Sequence, residues 1–111
     1  MIHRETLPSV NDNNFNEIVL NSKDKVIVLF EKCCCGTAQI MKTILEKLAI
    51  KYQNEIKIYK YNLDESSEIS TKFKIQDRIT IMFFNKGNLF FRTGVISETE
   101  IEKILTNIVD D

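Results

Sequence analysis

An uninterrupted apolar run, VIVLF at residues 26–30, constrains the fold of this chain more than any other feature. A strand with one face in solvent alternates apolar and polar side chains, whereas a run this uniform needs apolar cover on both faces. Strands of that kind lie in the middle of sheets that have helices on both sides. The run therefore predicts a central strand at 25–31 and an α/β fold.

Helices are predicted before and after this strand. Asp12 is expected to cap a short helix that carries Phe15 on its apolar face. A longer helix is predicted from Gly36 onward. Its expected buried stripe comprises Ile40, Ile44, Leu45, Leu48 and Tyr52.

The second half of the chain predicts a strand, a helix, a β-hairpin and a last helix. Their predicted bounds are 56–63 for the strand, 66–73 for the helix, which begins with a capping serine, 80–84 and 89–93 for the hairpin strands, and 97 onward for the last helix. Ser97 and Glu100 form a capping box there. A β-α-β unit followed by a hairpin and a helix implies a mixed sheet with helices on both faces.

The charge balance argues against two classes of partner. With 15 basic and 16 acidic residues the net charge is −1, so we expect no nucleic acid and no anionic membrane surface as partners. No apolar run approaches the length of a membrane span, and the first residues lack the apolar stretch of a secretory signal. We therefore expect a cytoplasmic protein that forms a single domain over residues 1–111.

All three cysteines stand together, as Cys33, Cys34 and Cys35. In the cytoplasm, clustered cysteines are more often reactive or metal-binding than disulfide-bonded, and an odd number leaves one thiol unpaired. A structural zinc site needs four ligands, with its cysteines usually spaced apart along the chain. Three contiguous cysteines do not fit that spacing and the only histidine is His3. We therefore expect no metal and no cofactor.

The order of elements, with a cysteine between a buried strand and a long helix, resembles the thioredoxin family. YNLDESSEISTKFKIQDRIT at residues 61–80 is similar to the strand, loop and helix that lead to the family's cis-proline. ITIMFFNKGNLFFRTGVIS at residues 79–97 is similar to its hairpin, glycine and final helix cap. The resemblance covers nearly the whole chain and implies a thioredoxin fold, with a central mixed sheet and helices on both faces.

The resemblance also indicates a changed active site. Matched without gaps, the family's Trp-Cys-Gly-Pro-Cys falls on CCGTA at residues 34–38. The nucleophilic cysteine then corresponds to Cys35, and the resolving cysteine to Ala38. The family's buried aspartate corresponds to Leu29 and its cis-proline to Ile79. The ordinary dithiol mechanism would not be available to such a chain.

The same resemblance implies a substrate-facing surface. In the family, the residue before the cis-proline lies close to the nucleophile, so Arg78 would add positive charge beside Cys35, with Lys32 as a weaker candidate. A cis bond before Ile79 would cost about 3–4 kcal/mol without a proline, so we predict that the Arg78–Ile79 bond is trans. The implied substrate-binding residues are Cys34, Arg78, Ile79 and Thr80.

Two functions from different classes stay open. In the first, Cys35 acts as a monothiol nucleophile in thiol–disulfide exchange and cell redox homeostasis, because a helix start favours a thiolate. Cys33 is a second catalytic candidate, while Cys34 fills the family's tryptophan position. The partners would be a protein disulfide or a low-molecular-weight thiol, and an intermolecular disulfide could link two copies. In the second, the chain is a non-catalytic module that binds a peptide in the groove beside Cys35 and Ile79.

Overall fold

Five strands form one mixed sheet in a computed structural model that describes residues 7–32 and 36–107. In chain order the strands are β1 (Ser9–Val10), β2 (Lys25–Glu31), β3 (Ile56–Asn62), β4 (Ile79–Asn85) and β5 (Asn88–Thr93). The helices are a short π-type helix at Asn16–Leu20, α1 (Gly36–Lys51), α2 (Glu68–Lys72) and α3 (Glu98–Thr106). The strand order is β1-β3-β2-β4-β5, with the first three strands parallel and the hairpin antiparallel. The predicted mixed sheet is confirmed.

The apolar run lies in the central strand, as predicted. Every residue of β2 after Lys25 is buried. Ile27 and Leu29 belong to the core on one face of the sheet, and Val28 and Phe30 to the core on the other. A strand buried on both faces has no place for alternating polar residues, which explains the uniform sequence.

Helices cover both faces of this sheet. On one face α1 and α3 contribute Leu45, Leu48 and Ile101, which are fully buried. On the other face, Phe15, which directly precedes the short π-type helix, and Ile69 of α2 belong to the second core cluster. Among residues 7–32 and 36–107, no helix combines the length and the apolar character that crossing a membrane requires.

The buried stripe of α1 differs in part from its prediction. Ile40, expected to be buried, is 60 % exposed, whereas Ala38 and Met41 are buried. The buried positions 38, 41, 45 and 48 follow the three- and four-residue spacing of one helix face, and residue 40 lies off that face. The small Ala38 carried too weak a hydrophobic signal to set the phase of the stripe.

Asp12 does not cap the helix that follows it, so that prediction was wrong. The turn after residue 11 is held by Asn11, whose Oδ1 accepts hydrogen bonds from the backbone N–H groups of residues 13 and 14. The Asp12 carboxylate instead accepts from the backbone N–H groups of Ser67, Glu68 and Ile69, at 3.0–3.2 Å. It also accepts from the Tyr61 hydroxyl at 2.6 Å.

Side chains distant in sequence therefore hold both ends of α2. Ser67 occupies the cap position of α2, but its side chain makes no capping bond, so the predicted serine cap is also wrong. At the other end the Arg92 guanidinium donates to the carbonyls of Phe73 and Lys74, at 2.5 and 3.0 Å. A helix of five residues is marginal without such external partners.

The hairpin and the last helix follow their predictions closely. The hairpin turns at Lys86 and Gly87, which have φ values of 54° and 83°. A Cβ at Gly87 would lie 2.1 Å from the Leu20 carbonyl oxygen, so this position needs glycine. At the start of α3 the Ser97 hydroxyl accepts from the Glu100 N–H at 3.2 Å, as a capping box requires.

Candidate functional site

The three cysteines predicted to carry the chemistry, Cys33, Cys34 and Cys35, lie outside the described residues. Their neighbours in the chain, Lys32 and Gly36, are described. The candidate site is therefore built from the elements that surround residues 33–35.

Residues 33–35 connect the end of a buried strand to the start of the longest described helix. Glu31 ends β2 at the edge where the parallel strands have their carboxyl ends, and α1 begins at Gly36. A helix start carries unpaired N–H groups and the positive end of the helix dipole. These groups favour the thiolate over the thiol form of a cysteine placed beside them.

Arg78 lies next to this connection. Its backbone carbonyl accepts a hydrogen bond from the Lys32 N–H at 3.0 Å. The Arg78 side chain is exposed, and no described carboxylate is ion-paired with it. Lys32, the weaker candidate, pairs with Asp64 at 3.6 Å. Arg78 is thus the better source of positive charge for this region.

Ile79 and Thr80 follow at the start of β4. No peptide bond among the described residues is cis, so Arg78–Ile79 is trans, as predicted. The Ile79 and Thr80 side chains are buried, with 7 % and 3 % exposure. Pairing between β4 and β5 begins only at Ile81, so a partner would meet residues 79 and 80 mainly through their backbone. The substrate-binding role of Arg78, Ile79 and Thr80 stays a prediction.

Leu29 and Ala38, which the resemblance aligns with the family's aspartate and second cysteine, are apolar and lie in one core cluster. Leu29 is fully buried and Ala38 is 2 % exposed, and both belong to the core cluster that includes Ile79. Side chains at these positions therefore offer no group that exchanges a proton.

A polar cavity of about 360 Å³, which sequence reasoning missed, lies beside Glu31 at the end of β2. Its lining comes from the ends of β1, β2 and β3, the loop after β3, and α1, and includes Glu31, Lys42, Lys60, Asn62, Glu65 and Ser66. The Glu31 carboxylate, 9 % exposed, pairs with the Lys42 ammonium at 3.4 Å. Glu31 shares the face of Leu29 on β2, and this charge on a buried face was the signal available in the sequence.

The described part of the chain contains no group of three or more histidine, cysteine, aspartate or glutamate side chains arranged to hold a metal ion.

Comparison with known proteins agrees with this geometry. The model of the Thioredoxin family matches residues 6–109. The chain belongs to the thioredoxin family. It is 38 % identical over 78 residues to a chloroplastic M-type thioredoxin of Pisum sativum, a match that covers 70 % of this chain and 45 % of the relative. It is 32 % identical over 95 residues to a thioredoxin of Buchnera aphidicola, covering 85 % of this chain and 88 % of the relative.

The thioredoxin relatives differ in length. The chain spans less than half of the chloroplastic M-type proteins of pea and spinach, at 45 % and 43 %. It spans nearly the whole of a Pseudomonas aeruginosa thioredoxin, to which it is 28 % identical over 102 residues, 91 % of this chain and 94 % of the relative. The family assignment confirms the predicted thioredoxin fold.

Proposed function

We propose that this chain carries out thiol–disulfide exchange through one working cysteine, Cys35. The single observation that carries the proposal is the strand-to-helix connection that contains residues 33–35, with Arg78 hydrogen-bonded beside it. The helix start favours a thiolate at that place, and the Arg78 guanidinium would add positive charge if it turns toward residue 35. We place this reaction in the cytoplasm, where thiols are kept reduced, and assign it to a single domain.

The proposed reaction uses one thiol and exchanges disulfides without net oxidation. The Cys35 thiolate attacks one sulfur of a disulfide, the S–S bond breaks, and the second sulfur leaves as a thiolate. The product is a mixed disulfide on Cys35. An external thiolate then attacks the outer sulfur of this mixed disulfide, forms a new disulfide with it and restores the Cys35 thiolate. Less readily, Cys33 attacks the Cys35 sulfur, which releases the bound group as a thiolate and leaves a Cys33–Cys35 disulfide for an external thiol to reduce.

The apolar surroundings support a monothiol over a dithiol mechanism. A second thiol at position 38 would need a proton acceptor when it attacks, and Leu29 occupies the place of the family's aspartate. A carboxylate buried at position 29 without this task would cost stability, since an unpaired buried charge is strongly disfavoured. The residues Leu29 and Ala38 are thus consistent with each other as parts of an altered active site.

Alkylation kinetics test this proposal. In single-cysteine variants, iodoacetamide at neutral pH should modify Cys35 at least about tenfold faster than a free peptide thiol, and Cys34 at the free rate. Arg78→Gln should slow the reaction of Cys35 about two- to fivefold, the range of one exposed charge interaction. Lys57→Gln, an exposed change on β3, is the control. Cys35 reacting no faster than the peptide, with no mixed disulfide detected by mass spectrometry, would refute the proposal.

A second candidate function is a non-catalytic module that binds a peptide beside Cys35 and Ile79. The observation in its favour is the backbone of residues 79 and 80, which is not paired with β5 and can accept an extended peptide. A peptide partner that binds wild type and Cys35→Ser with equal affinity favours the module. Binding lost with the cysteine favours exchange, and a disulfide-linked dimer on a non-reducing gel identifies a second copy as the partner.

A further inference from the structure

The polar cavity beside β2 has the size of a small-molecule site. Its volume of about 360 Å³ lies at the lower end of the 300–1,000 Å³ that small-molecule pockets typically occupy. Sheets in α/β proteins commonly bind ligands at the carboxyl ends of their parallel strands. The cavity lies at the carboxyl ends of the parallel strands β1, β3 and β2. Volume and position together fit a ligand of amino-acid or short-peptide size.

The lining of the cavity carries charges of both signs in equal number. Lys42 and Lys60 supply the positive charges, and Glu31 and Glu65 the negative ones. Apart from Val10, every described lining residue is polar or charged. A phosphate or a nucleotide would need an excess of positive charge. A ligand that carries both an ammonium and a carboxylate suits this balance.

Two of the four charges are paired with each other, and the other two have no ion-pair partner within residues 7–32 and 36–107. Glu31 and Lys42 neutralise each other at 3.4 Å. Lys60 and Glu65 form no ion pair with any described residue. Lys60 can therefore bind a carboxylate and Glu65 an ammonium, which are the two charged groups of an α-amino acid.

The cavity is also adjacent in the chain to the cysteines. Glu31, part of its wall, stands two residues before Cys33, and Lys42 lies on the helix that follows Cys35. We propose that the polar cavity binds the α-amino-carboxylate group of a low-molecular-weight thiol or of its disulfide. The inference rests on the proposed exchange function and names its substrate class as zwitterionic small thiols.

In the proposed exchange, the bound molecule is a symmetric small disulfide, RSSR. The Cys35 thiolate attacks one sulfur, a Cys35–SR bond forms, and RS⁻ leaves with the electron pair of the broken S–S bond. No further oxidant or reductant takes part in this step. The cavity contributes by holding the charged end of RSSR, which raises its local concentration at the thiolate.

The experiment compares disulfides of different charge. Reduced protein is mixed with oxidised glutathione, which carries two α-amino-carboxylate groups and two further carboxylates, with cystamine, which has only ammonium groups, and with neutral hydroxyethyl disulfide. Mixed-disulfide formation is followed by intact mass, and each rate is divided by that disulfide's rate with a model thiol. At low salt the normalised rate for oxidised glutathione should exceed the other two about tenfold, as expected for two charge contacts.

Variants assign this preference to the cavity. Lys60→Gln and Glu65→Gln should each lower the glutathione rate about three- to fivefold and leave the hydroxyethyl disulfide rate unchanged. The neutral disulfide also reports whether each variant is folded and reactive. Lys57→Gln and Glu55→Gln, exposed changes outside the cavity, are matched controls and should change neither rate.

A non-reactive ligand separates failure of the cavity from failure of the exchange function. S-methylglutathione cannot exchange, so its binding is read from NMR shifts of the backbone amides of Lys60 and Glu65. Equal normalised rates for all three disulfides and no such shifts would overturn the cavity proposal while leaving exchange through Cys35 intact. Shifts at Lys60 and Glu65 without any mixed disulfide would support the cavity and overturn the exchange function.

Discussion

Replacing Asp12 with alanine should destabilise the fold more than its position in a surface turn would indicate. The change removes the acceptor of three backbone N–H groups at the start of α2 and of the Tyr61 hydroxyl. Loss of a capping side chain costs about 0.5–2 kcal/mol. Loss of a hydrogen bond to a charged group costs about 1.5–3 kcal/mol, less where water can replace the partner.

Because Asp12 is partly exposed, we expect the free energy of unfolding to fall by about 2–4 kcal/mol in total, a large share of a typical stability of about 5–15 kcal/mol. Urea unfolding followed by far-UV circular dichroism measures this change. Asp77→Ala, an exposed aspartate between α2 and β4, is the control and should change stability by less than about 0.5 kcal/mol. An Asp12→Ala effect no larger than the control would refute the capping role.

The same contacts make the stabilisation depend on pH. Burial acts to raise the pKa of Asp12, but the hydrogen bonds from Tyr61, Ile69, Glu68 and Ser67 outweigh it, and the pKa falls below its ordinary value of 3.8. A carboxyl group with a lower pKa in the folded state stabilises the fold above the unfolded pKa. This contribution is lost as the pH falls through the lower, folded-state pKa. The stability difference between wild type and Asp12→Asn should therefore be constant near neutral pH and shrink below about pH 4; a difference independent of pH would contradict this.

Three further predictions concern the second end of α2, the cavity and position 38. Arg92→Gln should lower the urea midpoint by an amount equivalent to about 1–2 kcal/mol, because two carbonyls at the end of α2 lose their charged donor. An unchanged midpoint would show that these two hydrogen bonds do not stabilise the end of α2. Lys42→Met should lower the free energy of unfolding by about 1–3 kcal/mol, because it leaves the Glu31 carboxylate buried without a partner. Adding Glu31→Gln should recover part of that loss in a double-mutant cycle. In a chain that also carries Cys33→Ser and Cys34→Ser, Ala38→Cys should form a disulfide with Cys35 on oxidation, seen by intact mass as loss of the two thiol hydrogens. Persistence of both thiols under oxidant would count against the proposed correspondence of residue 38 with the resolving cysteine.

Local sequence patterns predicted the sheet well because its strands differ sharply from their surroundings. The strand at 25–31 was predicted with its observed bounds, since its apolar run is bounded by polar residues. The two-residue strand β1 was too short to produce a pattern. Asp12 was assigned to the wrong helix because capping rules consider only neighbours in the chain, whereas its partners lie 55 to 57 residues away.

The candidate site was predictable only in part for a similar reason. The strand-to-helix connection and the trans bond before Ile79 follow from local sequence and from the resemblance. The polar cavity does not, because Glu31 of β2 and Lys42 of α1 meet the stretch from Lys60 to Glu65 only in the folded sheet. No short motif contains them, so only the sheet register and the packing of α1 bring them together.

The pair formed by Glu31 and Lys42 also bears on the reactivity of the cysteines. An unpaired carboxylate at Glu31, two residues before Cys33, would oppose formation of a thiolate nearby. With the Lys42 ammonium 3.4 Å from that carboxylate, the two charges cancel at longer range. In the proposed exchange reaction, the helix start and Arg78 would then favour the Cys35 thiolate without that opposing charge. Lys42→Met should therefore slow alkylation of Cys35 as well as destabilise the fold, and Glu31→Gln in the same chain should restore the rate, which a purely structural role for the pair would not require.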